Sequence, residues 1–87
     1  MYIEDIVLQI ESGLHARPAS ELVKVASKYE SEIKLIKDGE EFNAKSIIGL
    51  LSISAAKGDI FTIKAEGEDA KEAVEGIKYV ISNRSLN

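Results

Sequence analysis

Residues 33–42, Ile-Lys-Leu-Ile-Lys-Asp-Gly-Glu-Glu-Phe, contain the clearest structural signal in the chain. Apolar residues alternate with lysine at its start, as in a strand that buries one face. Asp38-Gly39 is a pair typical of a two-residue hairpin turn, and Phe42 falls in the returning strand. The segment therefore predicts an antiparallel β-hairpin.

The same alternation predicts one strand before the hairpin and one after it. Their inward-facing residues are Ile6, Leu8 and Ile10 in the first strand, and Phe61, Ile63 and Ala65 in the second. Ser12-Gly13 ends the first strand, and Gly58-Asp59 precedes the second.

Helical spacing of apolar residues predicts three helices between and after these strands. Pro18 fits the first position of a helix whose stripe comprises Ala19, Leu22, Val23 and Ala26. Ser46 is a suitable N-cap for a short helix that extends to about Ala55. Asp69 can cap a last helix with a stripe of Ala70, Ala73, Val74, Ile77 and Ile81.

The predicted order is therefore β-α-β-β-α-β-α, an α+β fold. We expect an open-faced β-sandwich, in which a four-stranded, mainly antiparallel sheet is covered on one face by three helices. The 87 residues suit a single domain, 1–87.

Composition narrows the classes of function. The net charge is −4 without a basic run, which argues against nucleic acid as the main partner. There is no cysteine and only one histidine, so we expect neither a metal site nor a cofactor. No apolar run is long enough for membrane insertion, and an acidic N-terminus lacks signal-peptide character, so we expect a cytoplasmic protein.

The single histidine, His15, lies just before the first predicted helix. Composition alone favours a surface histidine without a role, and a surface arginine at Arg17. The setting favours a role, because a helix N-terminus welcomes a phosphate and a guanidinium can bind its oxygens. Pro18 stiffens the segment. Without a triad, metal or Walker loop, such a site can accept and donate a phosphoryl group but cannot complete a reaction alone.

Residues 13–19, Gly-Leu-His-Ala-Arg-Pro-Ala, resemble the active-site signature of the HPr family, the histidine-containing phosphocarriers of the bacterial phosphoenolpyruvate-dependent sugar phosphotransferase system. The resemblance covers nearly the whole chain, including a second motif at residues 45–49, Lys-Ser-Ile-Ile-Gly. It implies a phosphocarrier that is not a self-sufficient enzyme, and we expect a monomer. In it, His15 accepts a phosphoryl group on Nδ1 from enzyme I and passes it to the A domains of sugar permeases. Arg17 steadies the group, and Pro18 sets the geometry.

Ser46 has two interpretations, which are compatible. In the first, it is a plain N-cap of the short helix. In the second, which the resemblance implies, it is the regulatory site that HPr kinase/phosphorylase modifies, with a catabolite regulator as a further partner. A phosphate there would add close to two negative charges without unfolding the helix.

The short helix predicted after Ser46 carries two apolar stripes, of which one sheet can bury only one. One stripe comprises Ile47, Ile48, Leu51 and Ala55, and the other comprises Gly49, Leu50 and Ile53. The pattern leaves open whether the helix is sandwiched or exposes a patch that binds partners. The resemblance places Leu50 and Ile53 inward and implies that partners contact Ile47, Ile48, Leu51 and Ser20.

Two other hypotheses remain at this point. A regulatory interaction module would use Ser46 and the apolar patch mainly to bind a kinase or a transcription regulator. An unrelated ferredoxin-like domain that binds a small molecule would explain the element order but not residues 13–19.

Overall fold

The computed structural model describes residues 1–10 and 14–82. Over these residues the elements follow the predicted order. Their bounds are β1 Tyr2–Val7, α1 Ala16–Ala26, β2 Glu32–Lys37, β3 Glu40–Asn43, α2 Ile47–Leu51, β4 Ile60–Glu66 and α3 Ala70–Ile81. The predicted breaker Ser12-Gly13 lies outside the described residues.

The strands form one antiparallel sheet in the order β1-β4-β2-β3, so the predicted open-faced sandwich is confirmed. Asp38 and Gly39 have φ values of 53° and 81°, the left-handed conformation that a tight hairpin turn requires. The inward face of the sheet and the helices share one hydrophobic core. Its largest fully buried side chains include Phe61, Leu8, Ile10, Leu22, Ile33, Leu35, Leu50, Ile63, Ile77 and Ile81.

Strand register shows which elements meet at one end of the sheet. Val7, at the end of β1, pairs with Ile60 at the start of β4, and Ile36 near the end of β2 pairs with Thr62. The β2–β3 turn therefore lies at the same end of the sheet as the point where β1 leads towards His15. We call this end the His15 end.

Two predicted boundaries near the N-terminus are wrong. The first strand ends at Val7, although Leu8 and Ile10 are buried as predicted. Beyond Val7 the backbone forms hydrogen bonds with loops and helix ends instead of with a neighbouring strand. For example, the N–H of Leu8 donates to the Asp59 carbonyl at 2.8 Å. Helix α1 begins at Ala16, so Pro18 is its third residue and not its first. Proline is tolerated there because the first N–H groups of a helix have no intrahelical acceptor.

The second helix is shorter than predicted, because it ends at Leu51 and not near Ala55. The hydroxyl of Ser52 donates to the Gly49 carbonyl at 2.6 Å. The N–H of Ile53 donates to the Leu50 carbonyl at 3.2 Å, which tightens the last turn and turns Ile53 into the core. A hydroxyl that competes for a helical carbonyl explains the early end.

Asp69 stands at the predicted N-cap position of α3, but its side chain makes no capping hydrogen bond, so that part of the prediction is wrong. Its carboxylate accepts hydrogen bonds from the N–H of Glu30 at 2.9 Å, the N–H of Ser31 at 2.9 Å and the Ser31 hydroxyl at 2.5 Å. Gly67 permits this approach, because a Cβ there would lie 2.5 Å from Ser31 Oγ. Asp69 thus joins the turn before β2 to the start of α3.

We expect this junction to make the protein sensitive to acid. The hydroxyl of Ser31, followed by the N–H of Glu30, holds the pKa of Asp69 below its ordinary value. A lowered pKa gives stability that is complete above the unfolded value, about 3.9, and is lost as pH falls through the lower folded value. The Asp69→Asn variant should therefore melt at a lower temperature at neutral pH and lose less stability below about pH 4. Thermal unfolding followed by circular dichroism from neutral to acidic pH measures both effects.

Glu68→Gln is the matched control, since the exposed Glu68 side chain makes no hydrogen bond or ion pair within residues 1–10 and 14–82. Its melting curve should follow that of the wild type at every pH. Identical pH profiles for Asp69→Asn and the wild type would contradict the prediction.

Candidate functional site

His15 immediately precedes α1 and occupies its N-cap position. Its backbone is extended, with φ −114° and ψ −166°, and its carbonyl accepts the first helical hydrogen bond from Ala19 N–H at 2.9 Å. The imidazole is therefore held beside the positive end of a three-turn helix. His15 and Arg17 are exposed, whereas Leu14, Pro18 and Ala19 are buried.

The alternation of exposed and buried residues fixes the geometry of this segment. Leu14 on one side of His15, and Pro18 on the other, pack into the core and leave the two polar side chains in solvent. Gly13, the first residue of the motif, lies outside the described residues. The start of α1 therefore exposes the His15 imidazole, which can act as a nucleophile, and the planar guanidinium of Arg17. This combination suits binding and transfer of an anionic group.

Exposed cations continue along the same side of the chain, a feature that the sequence analysis did not single out. Lys24 lies two helical turns after Arg17, and Lys28 follows in the turn after the helix ends. Within the described part of the chain, none of the three is in an ion pair. We call them the basic surface (Arg17, Lys24 and Lys28). Their spacing of seven and then four residues is typical of one face of a helix and could have been recognised in the sequence. Ser20 is exposed one turn after Arg17.

Helix α2 packs against α1, the helix that His15 precedes. Leu50 and Ile53 are buried, whereas Ile47, Ile48 and Leu51 are 37%, 80% and 48% exposed. The helix is therefore not sandwiched, and it presents an apolar patch (Ile47, Ile48 and Leu51). Ala55, predicted on the same stripe, lies beyond the helix and packs partly against the core.

Ser46 caps α2 as predicted. Its Oγ accepts a hydrogen bond from the N–H of Gly49 at 3.2 Å, three residues further along. The preceding residue is also fixed, since Lys45 Nζ donates to the Tyr29 carbonyl at 2.8 Å. Both contacts hold the start of the helix that carries the apolar patch.

The cap should have a measurable effect on stability. We expect Ser46→Ala to lower the free energy of unfolding by about 1 kcal/mol, because it leaves a helical N–H without its acceptor. Urea unfolding of the unphosphorylated protein measures this. Ser20→Ala, an exposed serine inside α1, is the control and should cause no loss. An equal effect of the two substitutions would argue against a capping role.

Other classes of site find no support in the described ranges 1–10 and 14–82. They contain no group of three or more histidine, cysteine or acidic side chains placed to hold a metal ion. None of their helices is long and apolar enough to cross a membrane.

Comparison with known proteins identifies the family. Residues 3–83 match the family model described as PTS HPr component phosphorylation site. The chain belongs to the HPr family. A curated relative, the phosphocarrier protein HPr of Buchnera aphidicola, is 37% identical over 82 residues, which cover 94% of this chain and 96% of the relative. HPr is a phosphocarrier of the phosphotransferase system and not a catalytic enzyme.

Solved HPr structures have the same fold. HPr from Thermoanaerobacter tengcongensis superposes with a TM-score of 0.88 at 40% identity, and the match covers 93% of this chain and 91% of that one. Crh, a catabolite repression protein of Bacillus subtilis described as an intertwined dimer with a swapping domain, gives 0.78 at 37% identity and covers 97% of both chains. Some HPr-type chains are therefore dimers, and the monomer expected from the sequence stays a prediction.

Proposed function

We propose that this HPr-family protein accepts a phosphoryl group on Nδ1 of His15 from enzyme I and donates it to the A domains of sugar permeases, as a cytoplasmic monomer. The observation that supports this most directly is the exposed His15 ring at the N-terminus of α1, within a family model named for a phosphorylation site. Phosphoryl transfer depends mainly on how the reacting groups are positioned and on how their charge is stabilised, and this site can supply both.

Acceptance is a displacement at phosphorus. The Nδ1 lone pair forms the new bond, and the bond from phosphorus to the donor breaks with its electron pair leaving on the donor. Donation to a permease domain runs the same step with the imidazole as leaving group. Arg17 offers a planar pair of N–H donors to the phosphoryl oxygens, and the start of α1 favours the negative charge. Pro18, buried in the first turn, maintains this geometry.

The surroundings of His15 support docking of another protein. The apolar patch provides area that is removed from water on binding, and Ile48 is its most exposed member. The basic surface provides cations free to meet carboxylates of a partner. We propose that Ile47, Ile48, Leu51 and Ser20 contact both enzyme I and the permease domains.

Phosphotransfer to the unmodified protein tests the proposal. Incubation with phosphoenolpyruvate and enzyme I should raise the intact mass by one phosphate, and brief acid treatment should remove it, because a phosphoramidate bond is labile in acid. The reaction without enzyme I is the control. An unchanged mass, with an enzyme I that phosphorylates another HPr in the same buffer, would overturn the proposed function.

We also propose that Ser46 is a regulatory phosphorylation site. It is half-buried at the start of α2 and adjoins Ile47 of the apolar patch, so a phosphate would add charge where a partner docks. Incubation with HPr kinase/phosphorylase and ATP should add one acid-stable phosphate, and Ser46→Ala should add none. An unchanged wild-type mass would remove this part of the proposal and leave the role of His15 untouched.

A further inference from the structure

A small cleft opens at the His15 end of the sheet, between the β2–β3 turn and the segment that follows α2. Its volume is ≈180 Å³. The residues lining it include Lys37, Asp38, Glu40 and Phe42 on the hairpin, and Ile53 and Ser54 after α2. Because Leu51 of the apolar patch lies just before this lining segment, the cleft borders the surface proposed for docking.

The charge left unmatched in the cleft is negative. Lys37 Nζ lies 3.0 Å from Asp38 Oδ2 and 3.7 Å from Asp59 Oδ2, so two carboxylates compensate this one cation. Glu40 is opposite Lys37 in the strand register, yet its carboxylate is in no ion pair within the described ranges. An entering group would therefore meet an exposed, unpaired carboxylate at the rim.

The inner wall of the cleft is apolar. Ile53 is buried, and Phe42 is half-buried and packs against the core. A long side chain with an aliphatic stem and a cationic end matches both features, because the stem packs on Phe42 and the end reaches Glu40.

We propose that the cleft receives one arginine or lysine side chain of a protein docked on the apolar patch, an inference that rests on the proposed function. The contact would select partners with a basic residue beside an apolar surface. It is opposite in sign to the basic surface along and just after α1, so a partner must present both acidic and basic groups on its docking face. That arrangement fixes the orientation of the partner over His15.

A titration with a small probe tests the cleft without phosphotransfer. N-acetyl-arginine amide, added to ¹⁵N-labelled protein, should shift amide resonances of Phe42 and Ser54, whereas the neutral N-acetyl-glutamine amide should not. The shifts should disappear in Glu40→Lys and persist in Glu41→Lys. Glu41 is the matched control, because it is the next exposed residue of β3 and faces the opposite side of the sheet. Equal shifts with the two probes would overturn the chemistry proposed for the cleft.

Kinetics test the role of the cleft in docking. With enzyme I and with a permease A domain, Glu40→Lys should raise KM about tenfold for at least one of them by placing like charges together, with kcat little changed. Glu41→Lys should leave both constants close to the wild type. Equal KM values for the two variants with both partners would overturn the docking role, even where the arginine probe binds. If the wild type itself did not accept phosphate, that result would instead count against the proposed function.

Discussion

Replacement of His15 by glutamine is expected to abolish phosphate acceptance, from one phosphate per chain to none. Glutamine keeps a polar side chain but has no ring nitrogen that can form the bond to phosphorus. Because His15 is exposed, the free energy of unfolding should change by no more than about 0.5 kcal/mol. Intact mass after incubation with phosphoenolpyruvate and enzyme I measures the first effect, and thermal unfolding measures the second.

Arg17→Gln separates the bond-forming residue from the residue that stabilises charge. This variant should still reach one phosphate per chain, but about tenfold more slowly or worse, because a charge-assisted contact to the phosphoryl oxygens is lost. Lys24→Gln removes the same charge two turns away, and at saturating enzyme I, where docking does not limit the rate, it should have a much smaller effect. Acceptance by His15→Gln, or equal rates for the two charge variants, would contradict the assigned roles.

The parts of the fold that the sequence predicted are those set by local signals. The hairpin depends on two residues with positive φ at Asp38-Gly39, and the stripe of α3 depends on spacing along one element. Errors arose where a side chain chose between a local and a distant partner. Asp69 could cap its own helix, but the N–H groups of residues 30 and 31, about 38 positions away in sequence, offer more hydrogen bonds.

The candidate site divides in the same way. Residues 14–19 are contiguous, so the sequence could place His15 and Arg17 at the start of α1, although the first helical residue was predicted two positions too late. The two stripes of α2 could be recognised by spacing, but which one is buried depends on packing against α1 and β3. The cleft at Glu40 joins a hairpin to a segment twelve or more residues later, and no local pattern reveals such a contact.

Two substitutions in α2 test the apolar patch, and we expect them to have nearly opposite effects on partner binding and on stability. Ile48→Asp should raise the KM of enzyme I for this protein at least about tenfold, because a charge replaces an apolar contact at the proposed interface. The side chain is 80% exposed, so the melting temperature should stay close to the wild type. Single-turnover phosphotransfer at saturating enzyme I should remain fast, since His15 and Arg17 are unchanged.

Leu50, two residues further along the same helix, is the matched control because it is fully buried. Leu50→Ala should cost about 2–5 kcal/mol through the cavity it leaves, and the part that stays folded should accept phosphate with a nearly normal KM. We therefore expect Ile48→Asp to weaken binding without destabilising the fold, and Leu50→Ala to destabilise the fold without weakening binding. A large fall in melting temperature for Ile48→Asp would place this residue in the core. A wild-type KM for the same variant would show that partners dock elsewhere, and the cleft beside Leu51 would then lose its neighbouring interface.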